Sequence, residues 1–336
     1  MVRSGFGPSL VILILIQAKK GKKVEAYLAI DAGGTNTRVG LVKADKVIDS
    51  LCFATLPACG PQDWLKRLGL TVQNLLDKLK DQGITIKAVG LGMPGVPARD
   101  GVSFSTCTNL PSFAGQNWAR ALSEMFDLPT AVENDANLHA LGEFTHGAGK
   151  DVDSMACLTL GTGVGGGIIM QEMLLKGPLG LAGEIGHMVV EPNGRRCACG
   201  CRGCLEAYAS SVGLTGMLRE GISQGRHTAL KPGDSVELIT QAARLGDSLA
   251  RDLLKMAGIA LGRAVSILVS ALGLDLFVLG GGLSLAWPQM EQETKRELAR
   301  RMRLVEISGI GLIQAELGEQ APLLGAGAMA AGLLNK

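Results

Sequence analysis

Apolar and polar positions follow a design that occurs twice along this chain. Residues 27–30 form an apolar run leading into Asp31-Ala-Gly-Gly-Thr-Asn-Thr-Arg38, and residues 39–42 are apolar again. The pattern predicts a strand, a glycine-rich turn and a returning strand. Residues 157–160, the turn Gly161-Thr-Gly-Val-Gly-Gly-Gly167 and the run 168–170 repeat it. A second pair matches as well, because AVGLGMPG at 88–95 and LFVLGGG at 276–282 each read as a buried strand ending in glycines. Between these strands, 64–80 places Leu65, Leu68, Val72, Leu75, Leu76 and Leu79 at helical intervals, and 119–126, 136–145, 249–272 and 289–304 carry the same period. Strands alternating with helices predict an α/β class. Two related halves are expected: 24–134 joined by the C-terminal segment 322–336, whose helix at 323–334 is small and apolar, and 135–321.

Composition alters this picture little. A chain of 336 residues has room for two domains, and 47% hydrophobic content supports sizeable cores. A net charge of +2 and only 4% aromatic residues leave no electrostatic or stacking footprint for nucleic acid. The 47 glycines cluster in short loops, where backbone amides can approach an anion closely. Residues 1–23 stand apart. LVILILI at 10–16 precedes Lys19, Lys20, Lys22 and Lys23; a bilayer span takes about twenty apolar residues, so no membrane span is expected. A signal peptide lacks its small-residue cleavage site. An over-extended start or a weak membrane-surface anchor remain, and the fold reading begins at Val24.

The densest chemistry lies at 182–206, AGEIGHMVVEPNGRRCACGCRGCLE. Cys197, Cys199, Cys201 and Cys204 crowd together, with His187 ten positions before the first. Thiolates and imidazole are preferred ligands of Zn²⁺, and four of them close a structural site. Pro192, Asn193 and Gly194 allow a turn that folds the histidine back on the cysteines. Five candidates for four places leave one spare. Two disulfides are the alternative, but disulfide scaffolds are typically short secreted chains, and this one has 8 cysteines in 336 residues. A closed four-ligand site leaves no open position for catalysis; its expected work is to hold Glu184, His187 and Glu206 as a rigid binding wall.

The glycine turns admit several readings. Gly161 to Gly166 and Gly90 to Gly95 formally fit G-x-G-x-x-G, yet a dinucleotide fold needs a helix next, and a strand at 168–170 and Pro94 stand in its place. Neither Gly-Lys pair is followed by Ser or Thr, so a Walker loop is absent. A pair of hairpin turns bearing Thr35, Asn36, Thr37 and Thr162 could clamp a polyphosphate with amides and hydroxyls, although either turn alone is only a tight hairpin. Asp31, at a strand end beside the first turn, could hold Mg²⁺. Glu133, Asn134 and Asp135 cluster at another strand's carboxyl end, where open α/β sheets place ligands; the plain alternative for Asp135 is a helix N-cap. His139 and His146 read as ordinary helix-face residues, and Cys52, Cys59, Cys107 and Cys157 as buried thiols.

Assembled, these motifs resemble the ROK family of repressors, open reading frames and sugar kinases from about Val24 to the C-terminus. They are DAGGTNTR, GMPG at 92–95, ENDAN at 133–137, LGTGVGGG at 160–167, AGEIGHM at 182–188, CACGCRGCLE at 197–206 and LGGG at 279–282. The resemblance implies a duplicated actin-like, ribonuclease-H-like ATPase fold with two lobes closing on a central cleft. It implies ATP and Mg²⁺ at Asp31, Gly33, Gly34, Thr35, Asn36, Thr162, Gly163, Gly280 and Gly281. Asp135 becomes the general base, and Asn109, Asn134, Asp135, Glu184, His187 and Glu206 the sugar-binding set. Zn²⁺ falls to His187, Cys197, Cys199 and Cys204, with Cys201 at a variable position of the motif. ENDAN, GEIGHM and CLEAYAS are most like the bacterial glucokinase branch; N-acetylglucosamine, N-acetylmannosamine, fructose and allose kinases share much of the pattern. A cytoplasmic homo-oligomer, a dimer, is implied. Repressors of the family carry a helix-turn-helix, for which the residues before the first strand are too few. In the implied reaction the sugar's 6-hydroxyl attacks in line while Asp135 accepts its proton, and closure excludes water.

Overall fold

The computed structural model describes residues 24–107, 109–303 and 306–334; the apolar run at 10–16 and its lysines lie outside them. Two compact units account for the described residues. The first holds those up to 146 together with 176–181 and those from 319 to 334, and the second holds those within 147–175 and 182–318.

In the first unit the strands are β1 (Val24–Ala32), β2 (Asn36–Lys43), β3 (Lys46–Ala54), β4 (Ile84–Met93), a two-stranded ribbon of β5 (Val96–Pro97) and β6 (Phe104–Thr106), and β7 (Thr130–Asn134). Its five-stranded sheet has the order β3-β2-β1-β4-β7. The first three strands meander antiparallel, whereas β1, β4 and β7 run parallel. The register aligns Arg38, Asp31, Gly92 and Glu133 in one row across four strands, so the chemistry read from separate motifs reaches one edge of the sheet. The second unit repeats the plan with β8 (Met155–Leu160), β9 (Val164–Met170), β10 (Met173–Leu174), β11 (Leu276–Gly280) and β12 (Gly311–Gln314). Their order is β10-β9-β8-β11-β12, with β8 antiparallel to β9 and parallel to β11. The duplication inferred from the hairpin and strand pairs is therefore a duplication of topology.

Apolar faces build each core. The helix Gly60–Lys78 buries Trp64, Leu68, Val72 and Leu75, and Trp64 meets Phe113 and Trp118 with ring centroids 5.7 and 5.4 Å away. The helix Asp135–His146 packs on the C-terminal helix Ala321–Gly332 through glycines. A methyl group on Gly142 would lie 2.1 Å from the Ala321 carbonyl, and one on Gly325 would lie 1.9 Å from that of Leu138. Backbones this close admit no side chain. That packing puts Asp135–His146 in the first unit, whereas the sequence reading opened the second half at Asp135. In the second unit Ser248–Leu272 has the length and apolarity of a bilayer span. Its Leu254, Leu261 and Val265, however, are buried in the core with Phe277 and Leu279 of β11. Two helices, Ser211–Ser223 and Val236–Arg244, have no counterpart in the sequence reading. Cys107 and Cys157 are buried as expected, but Cys52 and Cys59 are exposed. Cys52 lies on β3, at the edge of its sheet, and Cys59 on the single turn before Gly60–Lys78.

Candidate functional site

In the first unit the turn after β1 is tied down from beneath. The Gly33 amide donates to the Asn36 carbonyl at 2.9 Å, and Thr55 Oγ1 donates to the Gly33 carbonyl at 2.6 Å. Trp64 Nε1 donates to Thr37 Oγ1 at 2.8 Å, and that hydroxyl also meets Thr55 Oγ1. Thr37, read from sequence as a possible phosphate hydroxyl, is instead fully buried and bonded within the fold; Thr35 and Asn36 are exposed at the turn. Gly34 is pressed against exposed Asn109, whose Cβ would be 2.9 Å from a methyl group there.

Beside this turn stand the carboxylates. Burial, and after it the facing charge of Asp135, pushes the Asp31 carboxyl up to about 7, while Arg38 pulls the other way. Two hard-oxygen groups that repel each other at one place suit a Mg²⁺ ion, which would favour both anions. The capping role weighed for Asp135 belongs to its neighbour. Asn134 Oδ1 accepts from the amides of Ala136 and Asn137 at 2.8 and 3.1 Å, the bonds of an N-cap side chain. Asn134 Nδ2 donates to the Gly95 carbonyl at 2.9 Å, which leaves its second amide N–H for another acceptor. Asp135, half-buried, is thus set in the first turn of the helix, where its Oδ1 accepts from the Ala136 amide at 2.9 Å. Glu133 faces inward: it is buried, and bonds Asn134 N and Asn137 Nδ2 at 2.9 and 3.0 Å.

The second unit gathers its own set. The turn Gly161–Gly163 closes through the Gly161 amide on the Gly163 carbonyl at 2.9 Å, with Thr162 exposed. Gly280 is paired with Thr159, and Gly281 approaches β8 so closely that a methyl group would lie 2.5 Å from the Leu160 carbonyl. Both glycine segments therefore sit at the same edge of the sheet. Glu206 reaches this edge from outside it: its Oε2 accepts from the Val164 amide at 3.1 Å, and its Oε1 from the Cys197 thiol at 3.5 Å.

The cysteine stretch folds as the turn signals predict. His187 Nδ1, Cys197 Sγ, Cys199 Sγ and Cys204 Sγ belong to a group whose ligand atoms all lie within 4.8 Å of one another. Cys197 to His187 is 3.9 Å and Cys199 to Cys204 is 3.7 Å. A tetrahedral Zn²⁺ with Zn–S of about 2.3 Å has ligand separations of about 3.8 Å, so the donor set fits. Cys201 is outside the group and exposed; it contributes its carbonyl, which accepts from the Cys197 amide at 2.9 Å. With Nδ1 on the cluster side, His187 presents Nε2 to Glu184 at 4.0 Å. Burial pushes the Cys197 thiol up to about 12, whereas the Cys201 amide brings the Cys199 thiol down to about 7. Among the residues at 130–146, His139 differs from its reading as an ordinary helix-face residue, being buried with Nε2 unbonded. Lys176, which pairs with Glu133 at 2.5 Å, was not picked out by any motif; a lone lysine before a glycine carries no pattern of its own.

Comparison with known proteins agrees in extent. The ROK family model matches residues 27–332. A glucokinase of Thermotoga maritima is 33% identical over 308 residues, covering 89% of this chain and 95% of its own. An N-acetylmannosamine kinase of Vibrio cholerae is 33% identical over 268 residues, with 80% and 88% covered. A crystal structure of a ROK family glucokinase from Streptomyces griseus in complex with glucose and AMPPNP superposes with a TM-score of 0.75 at 29% identity, covering 91% of this chain and 99% of that one.

Proposed function

The chain belongs to the ROK family and is a sugar kinase, and we propose that it transfers the γ-phosphoryl group of ATP to the 6-hydroxyl of glucose. The observation that carries this reading is Asp135, held by an Asn134 cap at a strand's carboxyl end and facing Asp31. A sugar hydroxyl is far too weak an acid to ionise at neutral pH, so its proton must leave as transfer proceeds. A carboxylate within reach can accept it late in a loose transition state. Asn109, the remaining Asn134 N–H, Glu184, His187 Nε2 and Glu206 are the polar groups proposed to hold the sugar's other hydroxyls. Asp31 would hold Mg²⁺, which would supply charge neutralisation of the phosphates. The exposed Thr35, Asn36 and Thr162 and the turns at Gly33, Gly34, Gly163, Gly280 and Gly281 offer the donors and close backbone approach that orient them. His187, Cys197, Cys199 and Cys204 would hold Zn²⁺, which would supply rigidity to the wall carrying Glu184 and Glu206.

Glucose is preferred on the branch motifs and on the glucokinase relatives. N-acetylmannosamine is the rival acceptor, because the Vibrio kinase is as similar over its matched length. A phosphorylation panel with ATP over glucose, mannose, fructose, N-acetylglucosamine and N-acetylmannosamine tests the substrate. Glucose should give the highest kcat/KM. A tenfold preference for an N-acetylated hexosamine, about 1.4 kcal/mol of transition-state binding, would overturn the glucose assignment.

A further inference from the structure

The reaction proposed above uses Asp135 but gives no work to Glu133, two residues before it. Its side chain is 1% exposed, and a carboxylate so buried must be paired or lose its charge. One oxygen accepts from Asn134 N and Asn137 Nδ2; the other lies 2.5 Å from Lys176 Nζ. Lys176 opens a short excursion of the chain: 176–181 belong to the first unit, although 147–175 and 182–318 belong to the second. The far end of the excursion is seated as well. Gly180, at φ +68, comes so close to Pro97 that a methyl group would lie 2.8 Å from its carbonyl. Pro97 follows the turn whose Gly95 carbonyl receives the Asn134 amide. The excursion therefore bears on both anchors of the residue that precedes Asp135.

We propose that Lys176 is a positioning residue for phosphoryl transfer: by neutralising buried Glu133 it fixes the Asn134–Asn137 turn and so the aim of the Asp135 carboxylate. The proposal rests on Asp135 being the base. Without its cation, Glu133 Oε2 is left unpaired in the interior, and the side chain must shift or draw in water beside the cap. That change loosens the turn from which Asp135 projects, and a displacement of about 1 Å at a reacting group can cost about a hundredfold in rate. Lys176 itself meets the fold at Glu133 and is otherwise half-exposed, so it makes no sugar contact of its own; the loss falls mainly on kcat, with a smaller rise in KM through the loosened Asn134.

The full chain with ATP and glucose decides it, using Lys176→Met, Lys176→Arg, Glu133→Gln and the double variant Glu133→Gln/Lys176→Met, with Asp135→Asn as reference. Lys176→Met should lower kcat about tenfold or more while KM for glucose stays within about threefold. Lys176→Arg should return kcat to within about threefold of wild type, since a cation again faces Glu133. The double variant should turn over faster than Lys176→Met, because the uncompensated charge is gone. A Lys176→Met enzyme within twofold of wild-type kcat, or a loss that arginine does not recover, would overturn the proposal. Should Lys176→Met fail to fold, Glu133→Gln against the double variant decides: equal turnover supports the pairing, and a further tenfold loss overturns it. An Asp135→Asn enzyme that stays active instead removes the reading beneath, whatever Lys176 does.

Discussion

In the first unit the acidic groups come from the regular structure: Asp31 ends β1, and Asp135 opens the helix after β7. In the second unit the counterpart of Asp31 is Gly161, β11 ends in glycine, and the acidic group at that edge is Glu206, delivered by the cysteine stretch. The same strand order thus places charge by two different means. A carboxylate at a strand end is fixed by ladder hydrogen bonds and a capped helix. A carboxylate on an irregular loop has no ladder to hold it, and ordering such backbone costs about 1–2 kcal/mol per residue. Four soft ligands converging within that loop are the compensation available there.

The largest expected effect separates the two means of placement. Stripping the proposed zinc by a chelator, or Cys199→Ser, should weaken glucose binding by about a hundredfold or more, because the hydrogen bonds proposed for Glu184, His187 and Glu206 would lapse together at about 1–1.5 kcal/mol each. Calorimetry alongside metal analysis reads it; sugar affinity unchanged in the metal-free protein would mean that the loop is rigid on its own. Next in size is an ion cluster that stabilises the second unit away from either edge. Burial would raise the Glu297 carboxyl, but Arg300, Arg301 and Arg263 hold it down to about 2. Glu297→Gln should cost roughly 2–3 kcal/mol of stability near neutral pH, since the change leaves the arginines around a partly buried position without their anion. A folded-state pKa below the unfolded one contributes stability that is present above about pH 4.5 and lost as pH falls through 2. Urea titrations of wild type and variant should therefore converge only as pH falls to about 2 and below; a gap that persists there contradicts the charge account.

A smaller effect is expected where the loop meets the glycine turn. A methyl group on Gly163 would lie 2.4 Å from Glu206 Oε2, so Gly163→Ala must displace that carboxylate or the turn. About a tenfold fall in kcat/KM is expected, roughly 1.4 kcal/mol. The smallest is Cys201→Ser, which keeps the backbone carbonyl that Cys197 bonds; zinc should stay at about one per chain and activity within twofold. Loss of metal from Cys201→Ser with retention in Cys204→Ser would redraw the ligand set.

Much of this was legible in the sequence where local pattern and tertiary role coincide. The hairpins of β1–β2 and β8–β9 announce themselves because glycine-rich turns interrupt apolar runs, and their repetition carried the two-unit plan. The ligand-capable side chains at 187–204 are close in sequence, so turn chemistry alone could fold them together. What escaped depends on packing that local pattern does not encode. Ser211–Ser223 contains Gly213, Gly216 and Gly221, poor helix formers whose value is close approach: Gly213 lies against Ala207 and Gly221 against Leu249. Thr37 is chemically suited to phosphate, and only the position of Trp64 beneath it reveals that its hydroxyl is taken. The residues at 133–135 read as one acidic cluster, yet the fold gives them three tasks: Glu133 buried and paired with Lys176, Asn134 as the cap, and Asp135 facing Asp31.

Asp135→Asn tests the centre of the account, since the variant keeps the size and hydrogen-bonding capacity of the side chain and loses only its ability to take a proton. Turnover with ATP and glucose, measured with calorimetric glucose binding on the same preparation, should show kcat lowered by at least about a hundredfold while glucose affinity changes by less than tenfold. An Asp135→Asn enzyme that retains a tenth or more of wild-type kcat would contradict it, and would reduce Asp135 to a ligand of the sugar or an ornament of the helix it begins.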